Sequence, residues 1–160
     1  ALSYEYDPCD FLKAKEMQQK RDSETFKKSQ ADDLTNMQTG IFGYKGRVHF
    51  QTGPCINEEL EALRGLPKTE VFTQVSALID KYIHRNYRLY PGNYVACDLL
   101  NGTETFAGKY SPEEKKRFEA YLQKKLDLIQ LPNKDEDFLR QRILTMYANP
   151  AINHLKAIAQ

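Results

Sequence analysis

The sequence predicts a helix-rich α/β fold, in which a few strands of an incomplete sheet are covered by helices and followed by a C-terminal helical appendage. Three observations carry that expectation. First, residues 45–56 (KGRVHFQTGPCI) alternate, with Val48, Phe50 and Thr52 on one side and Arg47, His49 and Gln51 on the other. A period of two bounded by Gly46 and Gly53-Pro54 is the pattern of a half-buried strand that ends in a turn. Pro54 has no N–H for a sheet ladder, so the strand stops near Gly53. Second, residues 1–6 (ALSYEY) place Leu2, Tyr4 and Tyr6 on one face ahead of Asp7-Pro8. This is a second strand, expected to pair in a parallel sheet. Third, almost everything after residue 56 repeats apolar side chains at three and four, the helical period. The chain divides into an α/β part over residues 1–100 and a helical extension over residues 101–160.

Along the α/β part, Asp10 suits an N-cap, with Phe11, Leu12, Ala14 and Met17 opening a helix. Residues 15–30 are dense in charge and amide, which gives a solvated outer face. Residues 31–37 form one more helical span, with Leu34 and Met37 at helical spacing, closed by Gly40. Gly40, Gly43 and Gly46 have no GxGxxG or GxxxxGK[ST] around them and read as turn glycines, not a phosphate cradle. Asn57 can cap a short helix over residues 58–64 that Gly65 and Pro67 end. Thr69 opens a longer helix on which Val71, Phe72, Val75, Leu78, Ile79, Tyr82 and Ile83 make an apolar stripe.

Around Pro91-Gly92 stand Tyr87, Tyr90 and Tyr94, followed by an apolar helical turn or two that Gly102 can end. These rings either line a site for a ligand or lipid headgroup, or seal the turn with their hydroxyls at the surface. Ser111-Pro112-Glu113-Glu114 is a capping box with Pro at N1, and Phe118, Tyr121, Leu122, Leu126 and Ile129 mark the buried face of the helix it starts. Pro132 stops that helix. Phe138, Leu139, Ile143, Leu144, Met146 and Tyr147 mark another, and Asn149-Pro150 caps a last one through Ile152, Leu155 and Ile158.

Composition narrows the function classes. With 160 residues there is room for one domain or a large part of one. The charges nearly cancel, 23 basic against 22 acidic, so the clustered basic excess of a nucleic-acid footprint is missing. No run approaches the roughly 18 to 20 apolar residues of a membrane-spanning helix, and no signal-peptide pattern opens the sequence. Peripheral membrane contact through an apolar face stays open. Cys9, Cys55 and Cys97 form no CxxC pair, which points to reduced thiols in a cytoplasmic setting and away from zinc or thioredoxin chemistry.

Candidate chemistry is sparse. His49, His84 and His154 have no HExxH and no carboxylate at metal-ligand spacing. There is no GxSxG elbow, and the paired acids at Glu113-Glu114 and Asp135-Glu136-Asp137 sit at helix starts, where the dipole favours them. No catalytic residue, metal ligand or cofactor is assigned. Lys45, Arg47, Arg85 and Arg88 are the group considered for an anionic substrate, since Arg offers phosphate a two-pronged fork and Lys a point charge. Arg85 and Arg88, three apart, share a helix face if the helix reaches that far.

The order of these segments resembles the C-terminal half of bacterial 1-acylglycerol-3-phosphate acyltransferases, of the phospholipid/glycerol acyltransferase family. Residues 45–56 are similar to the family's late strand, which commonly ends in Gly-x-Pro-Ile. Residues 1–8 (ALSYEYDP) resemble the segment next after its Val-Pro-Val block, and residues 86–100 and 146–150 look like a tail found in one bacterial branch. The family's general base lies in His-x-x-x-x-Asp, but Pro54, Leu89 and Ala159 stand five residues after the three histidines here, and the Glu-Gly-Thr/Ser-Arg block is missing. Both motifs are expected upstream of Ala1, in a longer parent. The resemblance implies that the parent moves an acyl group from acyl-CoA or acyl carrier protein to a lysophospholipid or glycerol-phosphate hydroxyl, at the inner face of the cytoplasmic membrane. This chain would then be inactive alone. The alternatives are a non-enzymatic helical module that binds a protein partner through an exposed apolar face, and a lipid-binding protein without turnover.

Overall fold

The computed structural model describes residues 1–159, in the order β1 (Leu2–Tyr4), α1 (Asp10–Asp22), α2 (Gln30–Phe42), β2 (Val48–Phe50), α3 (Asn57–Ala62), α4 (Lys68–Asn86), α5 (Pro91–Asn101), a 3-10 turn (Ala107–Lys109), α6 (Pro112–Asp127) and α7 (Glu136–Ile158). The fold is helix-rich α/β with one small, open, two-stranded sheet.

Local chemistry explains three of the helix starts. Ser111 Oγ accepts from the Glu114 N–H at 3.2 Å, and the Ser111 N–H donates back to Glu114 Oε2 at 2.8 Å. Ser29 and Asp32 repeat the device at α2, and Asp135 Oδ1 caps α7 by accepting from the Phe138 N–H at 3.0 Å. Each such cap gives a partner to a backbone N–H that the first turn of a helix leaves unpaired. Gly102 closes α5 at φ 63°, the left-handed conformation that glycine adopts without a Cβ clash. Three expectations shift. Asn57, expected to cap the short helix, is the first residue of α3, and no side chain caps that helix. Asp10 is the first residue inside α1, not its cap, and its carboxylate turns into the core. Gly40 lies within α2, which runs on to Phe42 and is ended at Gly43.

One core holds α1, α5, α6 and α7 together. Phe118, Leu122 and Leu126 of α6 meet Leu139, Ile143 and Tyr147 of α7, with Val95, Ala96 and Cys97 of α5 and Ala14 of α1 packed among them. Residues on both sides of position 100 belong to this cluster. A buried Leu or Phe contributes on the order of 1.5–3 kcal/mol by leaving water. The helices approach closely: a Cβ on Gly92 would lie 2.8 Å from the Phe118 ring.

α7 corrects the expectation of a break at Pro150. It is a single helix across that proline, which lies inside it. Pro150 removes the N–H that Met146 would bond and crowds the preceding turn, yet the buried row Leu144, Ala148 and Ala151 continues on both sides. α5 supplies donors at the weakened turn. Asn93 Nδ2 donates to the Tyr147 carbonyl at 2.8 Å, and the Cys97 thiol to the Ala148 carbonyl at 3.6 Å.

The sheet also differs from expectation. β1 and β2 pair, but antiparallel, with Leu2 opposite Phe50, Ser3 opposite His49 and Tyr4 opposite Val48. Parallel strands are almost always covered on both faces, whereas this ribbon leaves one face open. The open face is the apolar one: Val48 is 49% and Phe50 76% exposed, while Ser3 is fully buried. The ribbon docks by polar contact, with Ser3 Oγ accepting from the Arg88 N–H at 3.1 Å, so its alternation is inverted relative to the core.

Candidate functional site

The four basic residues singled out by sequence occupy different settings. Lys45 Nζ donates to the carbonyls of Ile41 and Gly43 at 3.1 and 3.0 Å, at the end of α2. Arg47 grips Glu5 with both prongs, Nε to Oε2 and Nη2 to Oε1, each at 3.0 Å, and its guanidinium lies 5.1 Å from the Tyr90 ring. Arg85 is exposed in the last turn of α4; Arg88 is exposed beyond that helix, which ends at Asn86, so the two do not share a helix face. Backbone bonds set Lys45, Arg47 and Arg88 along residues 3–6. Lys45 and Arg47 are already engaged within the chain, and among the described residues Arg85 and Arg88 make no side-chain hydrogen bond or ion pair.

Elsewhere the polar groups converge. Asp10, fully buried, receives the hydroxyls of Tyr121 and Tyr147 on Oδ2 at 2.5 and 2.8 Å. Its Oδ1 takes the Phe11 N–H and faces Lys125 Nζ at 3.1 Å. The Asp7 N–H donates to the Tyr147 hydroxyl at 2.9 Å. Lys125 also donates to the Pro8 carbonyl, and its ammonium lies 5.0 and 5.3 Å from the Phe11 and Tyr121 rings. Burial, then the charge of Asp10, drives the pKa of Tyr121 and Tyr147 far above the ordinary phenol range. Both hydroxyls therefore stay protonated and act as donors, not bases. The cluster is a clamp that fastens the start of α1 to α6 and α7.

Above this clamp lies a groove of about 590 Å³ between α1, the end of α2 and α6. Its aromatic lining is Tyr6, Phe11, Tyr44 and Tyr121, with Ala120 of α6 and Leu128 just past its end beside them. Tyr6 stacks on Tyr44 at 5.9 Å and leans on Tyr121 at 4.4 Å. Arg117, Lys124 and Lys125 are its charged residues, and no carboxylate lines it. Volume and lining suit a binding site. Sequence reasoning passed over this place, because Asp10 and Tyr121 are 111 positions apart and Asp10 and Tyr147 are 137 apart. The one legible signal was Arg117 and Lys124 seven apart on a helix whose start was plain.

The histidines take ordinary polar contacts. His154 Nδ1 donates to the His84 carbonyl at 2.8 Å, and His49 Nε2 lies 3.4 Å from Gln51 Oε1. Among the described residues no three of His, Cys, Asp and Glu gather in a metal-ligand arrangement, and no helix is long and apolar enough to cross a membrane. Comparison with protein-family models, curated proteins and solved structures finds no match to this chain.

Proposed function

We propose that the chain is a non-enzymatic helical interaction module that engages a protein partner through an exposed apolar face. The outward face of the β1–β2 ribbon carries this reading. Leu2, Val48 and Phe50 lie on that face, and Leu2 and Phe50 line a hollow with Ile83 of α4. Exposed apolar clusters of this kind mark docking sites. A second outward stripe, Leu34, Met37 and Ile41, runs along α2 on the side away from Cys9, whose thiol bonds the Asn36 carbonyl. Replacing Val48 and Phe50 by Asp tests the reading. If the face is reserved for a partner, the melting temperature holds while association is lost; an early melt would make the face a structural one.

A second reading rests on one observation, the pairing of β1 with β2 in a sheet with no third strand among the described residues. Free outer edges are where a sheet is continued by another segment. On this reading the chain is part of an acyltransferase that uses acyl-CoA or acyl carrier protein and a lysophospholipid or glycerol-phosphate acceptor, at the inner face of the cytoplasmic membrane. Lys45, Arg47, Arg85 and Arg88 are then its anion-binding candidates, and the reactive residues belong to the rest of the parent. The purified chain is expected to leave acyl thioesters intact; thioester turnover by it would overturn that division.

A further inference from the structure

We infer that the groove between α1, α2 and α6 docks an acidic helical segment of a protein partner, one with carboxylates at i and i+7 and an apolar side chain between them. The site shares no residue with the outward ribbon face, so it goes beyond the reading above.

Charge comes first. The lining holds three cations and no acid. Lys125 is taken up by Asp10, which leaves Arg117 and Lys124, neither of them in an ion pair or side-chain hydrogen bond among the described residues. Arg117 also feels Glu5, but both oxygens of that carboxylate are held by Arg47.

Spacing selects the ligand. Seven residues of helix rise about 10 Å, so the two free cations stand two turns apart along α6. A single phosphate or carboxylate is much shorter than this backbone spacing, so it matches the arrangement less well than two separated acids do. Carboxylates at i and i+7 of a partner helix laid along α6 have the same rise. Between the cations Ala120 presents only a methyl group, which lets a partner backbone approach, and the Tyr6, Tyr44 and Tyr121 rings offer an apolar wall. From Arg117 to the C-cap Leu128 the groove follows α6 for about three turns, the length of helix that helix-in-groove recognition uses. The wall is preformed, because Tyr121 and Lys125 are held from beneath by Asp10. Preorganisation of this kind lowers the ordering cost of binding.

The test uses the full chain and a labelled, helix-stabilised peptide with Glu at i and i+7 and Leu at i+3 and i+4, read by fluorescence anisotropy. Binding to the parent protein and to Phe50→Ser is expected to be equal. Exchanging both Glu for Gln in the peptide, or introducing Arg117→Glu with Lys124→Glu, should weaken binding by about 10-fold or more. A peptide with Lys at i and i+7 should bind the doubly reversed protein and not the parent. If the reversed protein melts early, Arg117→Gln with Lys124→Gln replaces it, with the same direction of effect. Equal binding of the Glu and Gln peptides overturns the inference. So does binding to anionic phosphatidylglycerol vesicles in place of the peptide, or self-association of the chain that Arg117 and Lys124 control. Because Phe50→Ser disables only the ribbon face, failure there and failure here are separable.

Discussion

Asn93, in the first turn of α5, donates its side-chain amide to the main-chain carbonyl of Tyr147 in α7 at 2.8 Å, while its Oδ1 accepts from the Tyr90 N–H at 2.8 Å. One buried side chain thus caps its own helix and supports the neighbouring one beside Pro150. Replacing Asn93 by Ala leaves a buried N–H and a carbonyl without that partner, which costs about 1–3 kcal/mol. Urea unfolding is expected to show this as a lowered midpoint with an unchanged slope. Pro150→Ala should move the midpoint the other way, since it restores an N–H to a continuous helix. A lower midpoint for Pro150→Ala would mean that the proline ring itself fits α7 onto α5.

The clamp at Asp10 makes a second prediction. Lys125→Met leaves the Asp10 carboxylate buried without its cation, a loss of about 3–5 kcal/mol. Tyr147→Phe removes one donor to Asp10 and the acceptor of the Asp7 N–H, for about 1–3 kcal/mol. The two share one network, so a double mutant is expected to lose less than the sum. Strict additivity in chemical unfolding would contradict the clamp.

Acid should loosen the ribbon. Burial raises the Glu5 carboxyl, but the side-chain and backbone hydrogen bonds from Arg47 outweigh it and hold Glu5 below its ordinary 4.5. A depressed folded value means that the Glu5 contribution is present above about pH 4.5 and is lost as pH falls through the folded value. Because Arg47 is largely exposed, the pair is worth about 1 kcal/mol at most. The difference in melting temperature between the parent and Arg47→Met should be greatest near neutrality and close as the solution is acidified. A difference that persists to low pH would assign it to the contact between Arg47 and Tyr90 instead.

Thiol reactivity should follow burial. Cys55 is exposed, Cys9 is half-buried and Cys97 is buried. Burial and then Asp7 push the Cys9 thiol up, and burial and then Asp98 push Cys97 up, which lowers the reactive thiolate fraction of both. Timed alkylation with iodoacetamide and peptide mass spectrometry is expected to label Cys55 first, Cys9 later and Cys97 only on unfolding. Early labelling of Cys97 would show that α5 and α7 open in the native state.

The sequence was legible where structure is local. Ser111 and Glu114 are three residues apart and satisfy each other, so the start of α6 is written in four letters. The helix at α4 was equally plain, as was the stop at Gly102, but the stripe expected to pack is not a core face: no side chain of α4 is buried, and Phe72 is 60% exposed. The misreadings have a common cause, which is that tertiary partners decided the matter. Pro150 signals a helix end, but Asn93 and Cys97 on another helix support the carbonyls beside it. The alternation at Val48 and Phe50 gives the period of a strand without saying which face is inside, and the polar bond from Arg88 to Ser3 settled it. The groove rests on Asp10, Tyr121 and Tyr147, which chain separation hides from any window of sequence.

The most direct test of partner docking on the ribbon face is photo-crosslinking from a benzoylphenylalanine at position 50, in the native cell. Discrete protein adducts that vanish when Val48→Asp is added are the predicted result. Lipid adducts alone, or the same adducts from an exposed polar control site such as Glu58, would contradict it.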